Sequence, residues 1–507
     1  MVKFTRIGII GAGSMGGNMS MLFAEHGLQV SLYDINKKSV KLVVDMANEN
    51  EKIRNKVVGY NDYESFMKSF DNDKQQPRLL LLSITHGHPA DEVLKSIRQY
   101  LNKGDIILDG GNEWYLDTER RQKEMEELGV YFIGMGVSGG YQAARRGASL
   151  SPGGEKKTID DIILPFLRTL CAKSDKYGEC VTNVGPGGAG HYVKMVHNGI
   201  EQGLLSIICE AWGILQHLLG FSEDDIGHIF TDWTKNNELK NNFLLSIGGE
   251  ICTRCYQNGD PSSGHVLDDV EDKVVQDADD TEGTGVWAVQ EAAKAHVSAP
   301  TIAAAHLLRI ASSNRSDRIK FDKLVKLEKP RLADELKGKT HEFIEDLRGA
   351  VYVALLASFI QGCNLIAATS RAKKWHIKMS EVIRIWRAGS IVKSDYISDL
   401  LQPLYLNGEK SDDEPLINIL LLESIAAEIE KYYSKLKRIV LLAIEYGAHV
   451  PALSASLEYY KYVSSIDLPT AFMEAELDYF GAHAYDLKSE HAMEVKKGPH
   501  HYEWKEP

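Results

Sequence analysis

Short apolar runs alternate with longer charged, amphipathic stretches up to about residue 185. Arg6-Ile7-Gly8-Ile9-Ile10, Gln29-Val30-Ser31-Leu32-Tyr33, Leu79 to Ile84, Asp105 to Asp109 and Val130 to Gly134 read as strands. Brief apolar runs bounded by turn residues and separated by helical patterns predict a parallel, doubly wound sheet with helices on both faces. The glycine-rich segment Gly185-Pro186-Gly187-Gly188-Ala189-Gly190 then interrupts the chain. From His191 to about Tyr462 the long periodic segments predict helices, hence an all-helical domain. From Met473 onward the chain is aromatic, His-rich and broken by glycine, a composition expected to pack on another surface. The expected domains are 1–187, 188–470 and a tail, 471–507. A faint echo links Ile200-Glu201-Gln202-Gly203 with Phe359-Ile360-Gln361-Gly362 and suggests a duplicated bundle.

The first strand runs into Gly11-Ala12-Gly13-Ser14-Met15-Gly16 and then a helix reaching Glu25. This is the dinucleotide fingerprint of a Rossmann-type domain: one glycine for the turn, one for approach of the pyrophosphate, one for helix–strand packing. Free N–H groups at the helix start favour phosphate, which places Gly11, Gly13, Ser14, Met15 and Gly16 at the coenzyme. The second strand ends at Asp34, at the spacing of the carboxylate that accepts from a ribose diol.

A different chemistry lies at Lys194-Met195-Val196-His197-Asn198-Gly199-Ile200-Glu201. On a helix, Lys194, His197, Asn198 and Glu201 share one face. An amine, an imidazole, a carboxamide and a carboxylate cannot pack into a core without partners. A lysine and a glutamate so placed suit proton transfer, one as base and one as acid. A solvated face laced with an ion pair has the same spacing.

The 507 residues exceed what one core usually supports, and 44% hydrophobic with 25% charged residues is ordinary for globular chains. A net charge of −13 argues against nucleic acid or an anionic membrane as main partner. Cysteines at 171, 180, 209, 252, 255 and 363 show no disulfide framework, and Cys252-x-x-Cys255 lacks a second pair at zinc-site spacing. No metal-ligand cluster is visible and no uninterrupted run of eighteen apolar residues occurs. With a strand inside the first ten residues, no leader is expected, and the setting is expected to be cytoplasmic.

Taken with Gly110-Gly111-Asn112, Tyr115, Arg120-Arg121, Gly136-Val137-Ser138-Gly139-Gly140, Pro152-Gly153-Gly154, Gly283-Thr284-Gly285, Ile385-Trp386-Arg387 and Asp478-Tyr479-Phe480-Gly481-Ala482-His483, these motifs resemble the 6-phosphogluconate dehydrogenase family almost end to end. The resemblance implies oxidation of a sugar acid at C3, loss of carbon dioxide from the β-keto acid and tautomerisation to a ketose. It casts Lys194 as the base and Glu201 as the acid that protonates C1. Asn112, Ser138, Gly139, Gly140, His197 and Asn198 would bind substrate, with Asn112 also touching coenzyme. It implies a homodimer in which the tail enters the partner's site with His483.

At the positions where the family holds the substrate phosphate, this chain reads Gln202, Glu282, Thr284, Arg318 and Leu477. A carboxylate facing a unit of negative charge at ~4 Å costs about 4 kcal/mol at an effective dielectric of about 20. An aldonate lacking the phosphate is therefore the expected substrate, with true 6-phosphogluconate activity the alternative. After the second strand, Asp34-Ile35-Asn36 stands where NADP-type members carry Asn-Arg-Thr, so NAD is favoured; Lys37 and Lys38 keep NADP open. A β-hydroxyacid dehydrogenase that stops at the keto acid, and a catalytically retired dinucleotide-binding protein, are the rival readings.

Overall fold

All four residues from Leu79 to Leu82 are fully buried, as only a strand covered on both faces can be. In the computed structural model, which describes residues 4–71, 77–257, 259–276, 283–409 and 418–505, this strand is central to a seven-stranded sheet. The order along the chain is β1 (Arg6–Ile10), α1 (Ser14–Glu25), β2 (Gln29–Tyr33), α2 (Lys37–Glu49), β3 (Val57–Tyr60), α3 (Tyr63–Lys68), β4 (Leu79–Leu82) and α4 (His88–Ile97). Next come β5 (Ile106–Asp109), α5 (Tyr115–Glu126), β6 (Tyr131–Ser138), α6 (Gly140–Arg146), β7 (Ser149–Gly153), the short α7 (Lys156–Thr158) and α8 (Leu164–Leu167), and a hairpin of β8 (Lys173–Ser174) and β9 (Gly178–Glu179).

The sheet order β3-β2-β1-β4-β5-β6-β7 reverses direction between β1 and β4, which opens a crevice at the carboxyl ends of those strands. Alternate side chains feed two cores. Ile7, Ile9, Leu79 and Leu81 enter one, and Ile10, Leu80, Leu82 and Ile107 the other. The expectation of a parallel sheet holds for six strands; β7 pairs antiparallel with β6. Only the brief α6, ended by Gly147 at φ +118°, separates β6 from β7, too little chain for a parallel crossover.

The helical part begins with α9 (Ala189–Leu219), followed by α10 (Glu223–Trp233), α11 (Phe243–Cys252), α12 (Thr284–Lys294), α13 (Pro300–Ser313), α14 (Arg315–Leu324) and α15 (Thr340–Lys373). It continues with α16 (Met379–Ile385), α17 (Asp395–Gly408), α18 (Glu423–Glu445) and α19 (Pro451–Val463), and then α20 (Thr470–Gly481). By contacts the chain separates into a unit of residues 1–457 and a second of 458–507. Helix α15 is apolar and long enough to cross a membrane, yet its most hydrophobic window is wholly buried, which marks it as a core helix. Cys252 and Cys255 are free, buried thiols, and burial beside Glu223 pushes Cys252 up to about 12.

The two echoing segments lie where α9 and α15 pack together. A methyl group on Gly203 would fall 2.2 Å from Ser358 Oγ, and one on Gly362 would fall 2.4 Å from Ile200 Cγ1. The glycines let the two helix backbones approach closely.

The start of α9 is pressed onto the sheet in the same way. A methyl group on Gly190 would lie 2.0 Å from the Gly134 carbonyl oxygen and 2.6 Å from that of Ser151, both backbone atoms that cannot swing aside. Replacing Gly190 with alanine should therefore destabilise the protein by roughly 1–3 kcal/mol through overpacking. Urea denaturation checks this, and an unchanged midpoint would refute the close contact.

Candidate active site

The turn after β1 is shaped by backbone contact. Gly11 has φ +111°, and a methyl group there would sit 2.1 Å from the Ser83 carbonyl oxygen; one on Gly16 would sit 2.0 Å from the Gly11 carbonyl oxygen. Around the Cβ position of Gly13 nothing lies within 4 Å, so this face of the turn is open. No side chain caps α1. Its uncapped first N–H groups are the kind that favour an anion such as a pyrophosphate. Asp34 braces the turn: Oδ2 accepts from Ala12 N–H at 2.6 Å and Oδ1 from Asn36 N–H at 2.7 Å.

A cleft of about 960 Å³ extends from this turn. Gly11, Gly13, Ser14, Met15 and Asp34 line it, as do Lys194, Asn198, Glu201, Asn112 and Gly140. The loops after β4 (Ile84, Thr85, His86 and His88) and β5 (Gly110 to Asn112) add to the lining. The strand ends and the first turns of α9 thus bring the fingerprint and the polar helix stripe to one cavity.

Lys194 reaches the cleft because α9 rests on β6 with only glycine beneath it; a methyl group on Gly136 would lie 2.6 Å from Lys194 Cβ. Lys194, His197 and Asn198 are buried, while Glu201 is partly exposed at the cleft wall. A solvated helix face is excluded by that burial. His197 is fully enclosed: Nε2 lies 2.8 Å from Ser390 Oγ, and Nδ1 lies 3.1 Å from Asn198 Oδ1 and 3.7 Å from Glu201 Oε2. Burial, and then the Lys194 charge, hold its pKa well below the usual histidine value, so the ring is neutral. A neutral ring orients its neighbours and carries no charge of its own. Asn198 Nδ2 donates to Thr284 Oγ1 at 3.1 Å at the start of α12.

Other expected residues fall as follows. Ser138 is buried at the end of β6, and Gly139 caps α6 at φ +100° against the Gly389 carbonyl; Gly140 alone of the three lines the cleft. Gln202 is buried, its Oε1 3.1 Å from His306 Nδ1 on α13. Asn36 caps α2, its side chain accepting from Lys38 N–H, and is not part of the cleft lining. Arg318 is committed to Asp272, with Nη1 2.9 Å from Oδ2, and to the Ser312 carbonyl, and does not line the cleft. Glu282 lies outside the described residues. Leu477 and His483 belong to the second unit, His483 being exposed at the end of α20. Among the described residues no group of three or more His, Cys, Asp or Glu side chains could hold a metal.

Sequence reasoning missed Ser390, which reaches His197, and His306, which reaches Gln202, each from more than a hundred residues farther along the chain. No local pattern marks either.

The neutral His197 has a measurable consequence. Its folded pKa lies below the 6.5 of an unperturbed histidine, so the unfolded chain binds a proton that the native state refuses. Stability present above about pH 6.5 should fall by roughly 1.4 kcal/mol per unit as the pH drops below it. A His197→Asn variant should lose that part of the acid sensitivity in unfolding titrations between pH 7 and 5. An identical slope in both proteins would contradict the neutral, buried ring.

Two family models match the chain: the NAD binding domain of 6-phosphogluconate dehydrogenase over residues 6–185, and the 6-phosphogluconate dehydrogenase C-terminal domain over 190–504. A decarboxylating 6-phosphogluconate dehydrogenase of Emericella nidulans is 46% identical over 502 residues, 97% of this chain and 99% of that protein. An NADP(+)-dependent, decarboxylating one of Bacillus subtilis is 36% identical, covering 98% of this chain and 99% of its own. The solved structure of Plasmodium falciparum 6-phosphogluconate dehydrogenase, described in its apo form and with NADP+ and with 6-phosphogluconate, superposes at a TM-score of 0.84 with 32% identity, covering 98% of this chain and 100% of that one. A dinucleotide turn, a buried lysine stripe and full-length likeness in sequence and shape lead to one conclusion: this chain belongs to the 6-phosphogluconate dehydrogenase family.

Proposed function

We propose that the chain oxidises and decarboxylates 6-phosphogluconate to a ketose phosphate. The observation that carries this is the meeting of Lys194, Asn198, Glu201 and Asn112 in the cleft that begins at the Gly11–Gly16 turn. A nicotinamide coenzyme held at the Gly11–Gly16 turn would supply the acceptor for the hydride from C3. Lys194 takes the hydroxyl proton as the hydride leaves, and its ammonium then pairs with the ketone oxygen. That pairing draws electron density from the carboxylate-bearing carbon and lets carbon dioxide depart without a metal. Glu201 protonates C1 of the remaining enediol. Asn198, held between His197 and Thr284, orients a substrate hydroxyl. Retention of Glu201 favours this course over a dehydrogenase that stops at the keto acid.

This replaces the expectation of a substrate without phosphate. That expectation rested on Gln202, Glu282 and Leu477, with only Thr284 and Arg318 retained from the phosphate ligands; Glu282 is outside the described residues and Leu477 belongs to the second unit. Relatives named for 6-phosphogluconate match at 46% and 37% identity across nearly the whole chain, which favours the phosphorylated acid. Arg309 stands one turn beyond His306 on α13, on the face that meets Gln202. With Arg318 it is a candidate for the phosphate.

At the coenzyme's adenosine end, the Asp34 carboxylate lines the cleft where a 2′-phosphate would come, which supports a preference for NAD. The relative from Bacillus subtilis is named for NADP(+), and Lys37 and Lys38 follow Asp34 here. A homodimer exchanging its C-terminal segment is supported by the second unit, which exposes Phe472, Phe480, Met493 and Val495.

Three measurements test the reading. Incubation with 6-phosphogluconate should release carbon dioxide and reduce coenzyme in equal amounts, faster with NAD than with NADP at equal concentration. Turnover of gluconate but not 6-phosphogluconate would restore the unphosphorylated substrate, and faster turnover with NADP would remove Asp34 as the discriminator. Lys194→Ala should lower kcat by roughly 10²–10⁴ while reduced coenzyme still binds by fluorescence titration. Undiminished turnover would exclude Lys194 as the base. Arg309→Ala should raise KM for 6-phosphogluconate at least roughly tenfold with coenzyme KM unchanged, as loss of a charge-assisted bond requires. An unaltered KM would place the phosphate elsewhere.

A further inference from the structure

Beneath the cleft floor lies a buried ion pair that the chemistry above does not use. Arg121, on α5, is completely enclosed. Its Nη1 donates to Glu113 Oε2, its Nη2 to the Gly87 carbonyl at 2.8 Å and its Nε to Asp91 Oδ1 at 2.8 Å. Glu113 Oε2 also accepts from Gly87 N–H at 2.8 Å, and Oε1 from Trp114 N–H at 2.7 Å. Both backbone polar groups of Gly87 are thus held by one arginine–glutamate pair.

The two residues bridge separate walls of the cavity. Gly87 sits between His86 and His88 in the loop after β4, beside the crevice where the sheet order reverses. Glu113 follows Asn112, which lines the cleft in the loop after β5. Residues of the loop after β4 line the same cleft as the Gly11–Gly16 turn, and Asn112 lines it together with Lys194 and Asn198. His86 continues the link toward the helices, its ring 4.8 Å from that of Trp287 on α12.

Plain structural support does not require this arrangement. Asp91 pairs with Arg121 as closely but touches neither backbone group of Gly87. Asp109 stands 3.9 Å from Arg121 Nη1 with its Oδ2 unpartnered, its pKa raised by burial against the lowering charges of His191 and Arg121. Of the carboxylates around Arg121, only Glu113 grips the loop.

We propose that Glu113 is a positioning residue that locks the loop after β4 to the loop bearing Asn112, so that coenzyme and substrate affinity depend on it together. This rests on the reading of the cleft given above. An amide at 113 keeps a single acceptor oxygen for three donors, so Glu113→Gln frees one loop from the other.

The test compares Glu113→Gln with Asp91→Asn, each beside the parent enzyme, with thermal melting as a check on folding. Glu113→Gln should raise KM for coenzyme and for 6-phosphogluconate together by roughly tenfold, with kcat falling less than either KM rises. Asp91→Asn, which removes an equal charge from Arg121, should change both by less than about twofold. If Glu113→Gln does not fold, Arg121→Lys serves instead, because a lysine cannot reach Glu113 and the Gly87 carbonyl at once. Unchanged KM values in an active variant, a rise in only one of them, or the same rise in Asp91→Asn would overturn the proposal. Fluorescence titration with reduced coenzyme needs no turnover. It reads the coenzyme half of the clamp even if the substrate assignment fails.

Discussion

A helix laid on a strand with no side chain between them sets up everything else in this protein. Where α9 crosses β6, Gly134 and Gly136 on the strand and Gly190 on the helix leave backbone against backbone, with Gly134 oxygen 2.0 Å from where a methyl group on Gly190 would sit. The contact fixes the direction of α9 as it leaves the sheet. Lys194, one turn on from Gly190, is carried over the strand ends beside the dinucleotide turn. Moving the helix outward by one methyl group would lift the lysine from the place where a hydride acceptor is held, and orientation errors of that size are costly in catalysis.

That placement puts charge and polarity into a buried setting, and the structure answers with partners. His197 is held between Ser390 and Asn198, and Asn198 passes the chain of bonds to Thr284. Neutrality of the imidazole follows from burial first and from the neighbouring Lys194 second. The same logic holds below the floor, where Arg121 is surrounded by carboxylates and by a backbone carbonyl. Removing one partner from such a cluster leaves an uncompensated charge, which is why these groups occur together or not at all.

The revisions to the sequence reading share a physical origin. Arg318 was assigned to a phosphate by its place in the chain, but Asp272 reaches it first from a loop some forty residues earlier. Asn36 follows the carboxylate expected to meet the ribose, yet its side chain accepts from the Lys38 N–H at the start of α2. In both cases a nearby unsatisfied or opposite charge claimed the side chain. Motif position says which residue types are present; competition among neighbours decides which ligand each one takes.

Local information went far where the physics is local. Backbone constraints of the Gly11–Gly16 turn, the fully apolar run at Leu79–Leu82 and the helical spacing of Lys194, His197, Asn198 and Glu201 are all properties of adjacent residues, so the sequence carries them openly. The partners Ser390 and His306, and the hold of Glu113 on Gly87, depend on contacts between distant segments. No periodicity encodes those meetings, because each is settled by how sheet and helices close on one another. What the chain by itself determined was the pair of chemistries, a dinucleotide turn and an acid–base stripe. Only the tertiary structure decided that they share one cavity, because the distance between them depends on how closely α9 rests on β6.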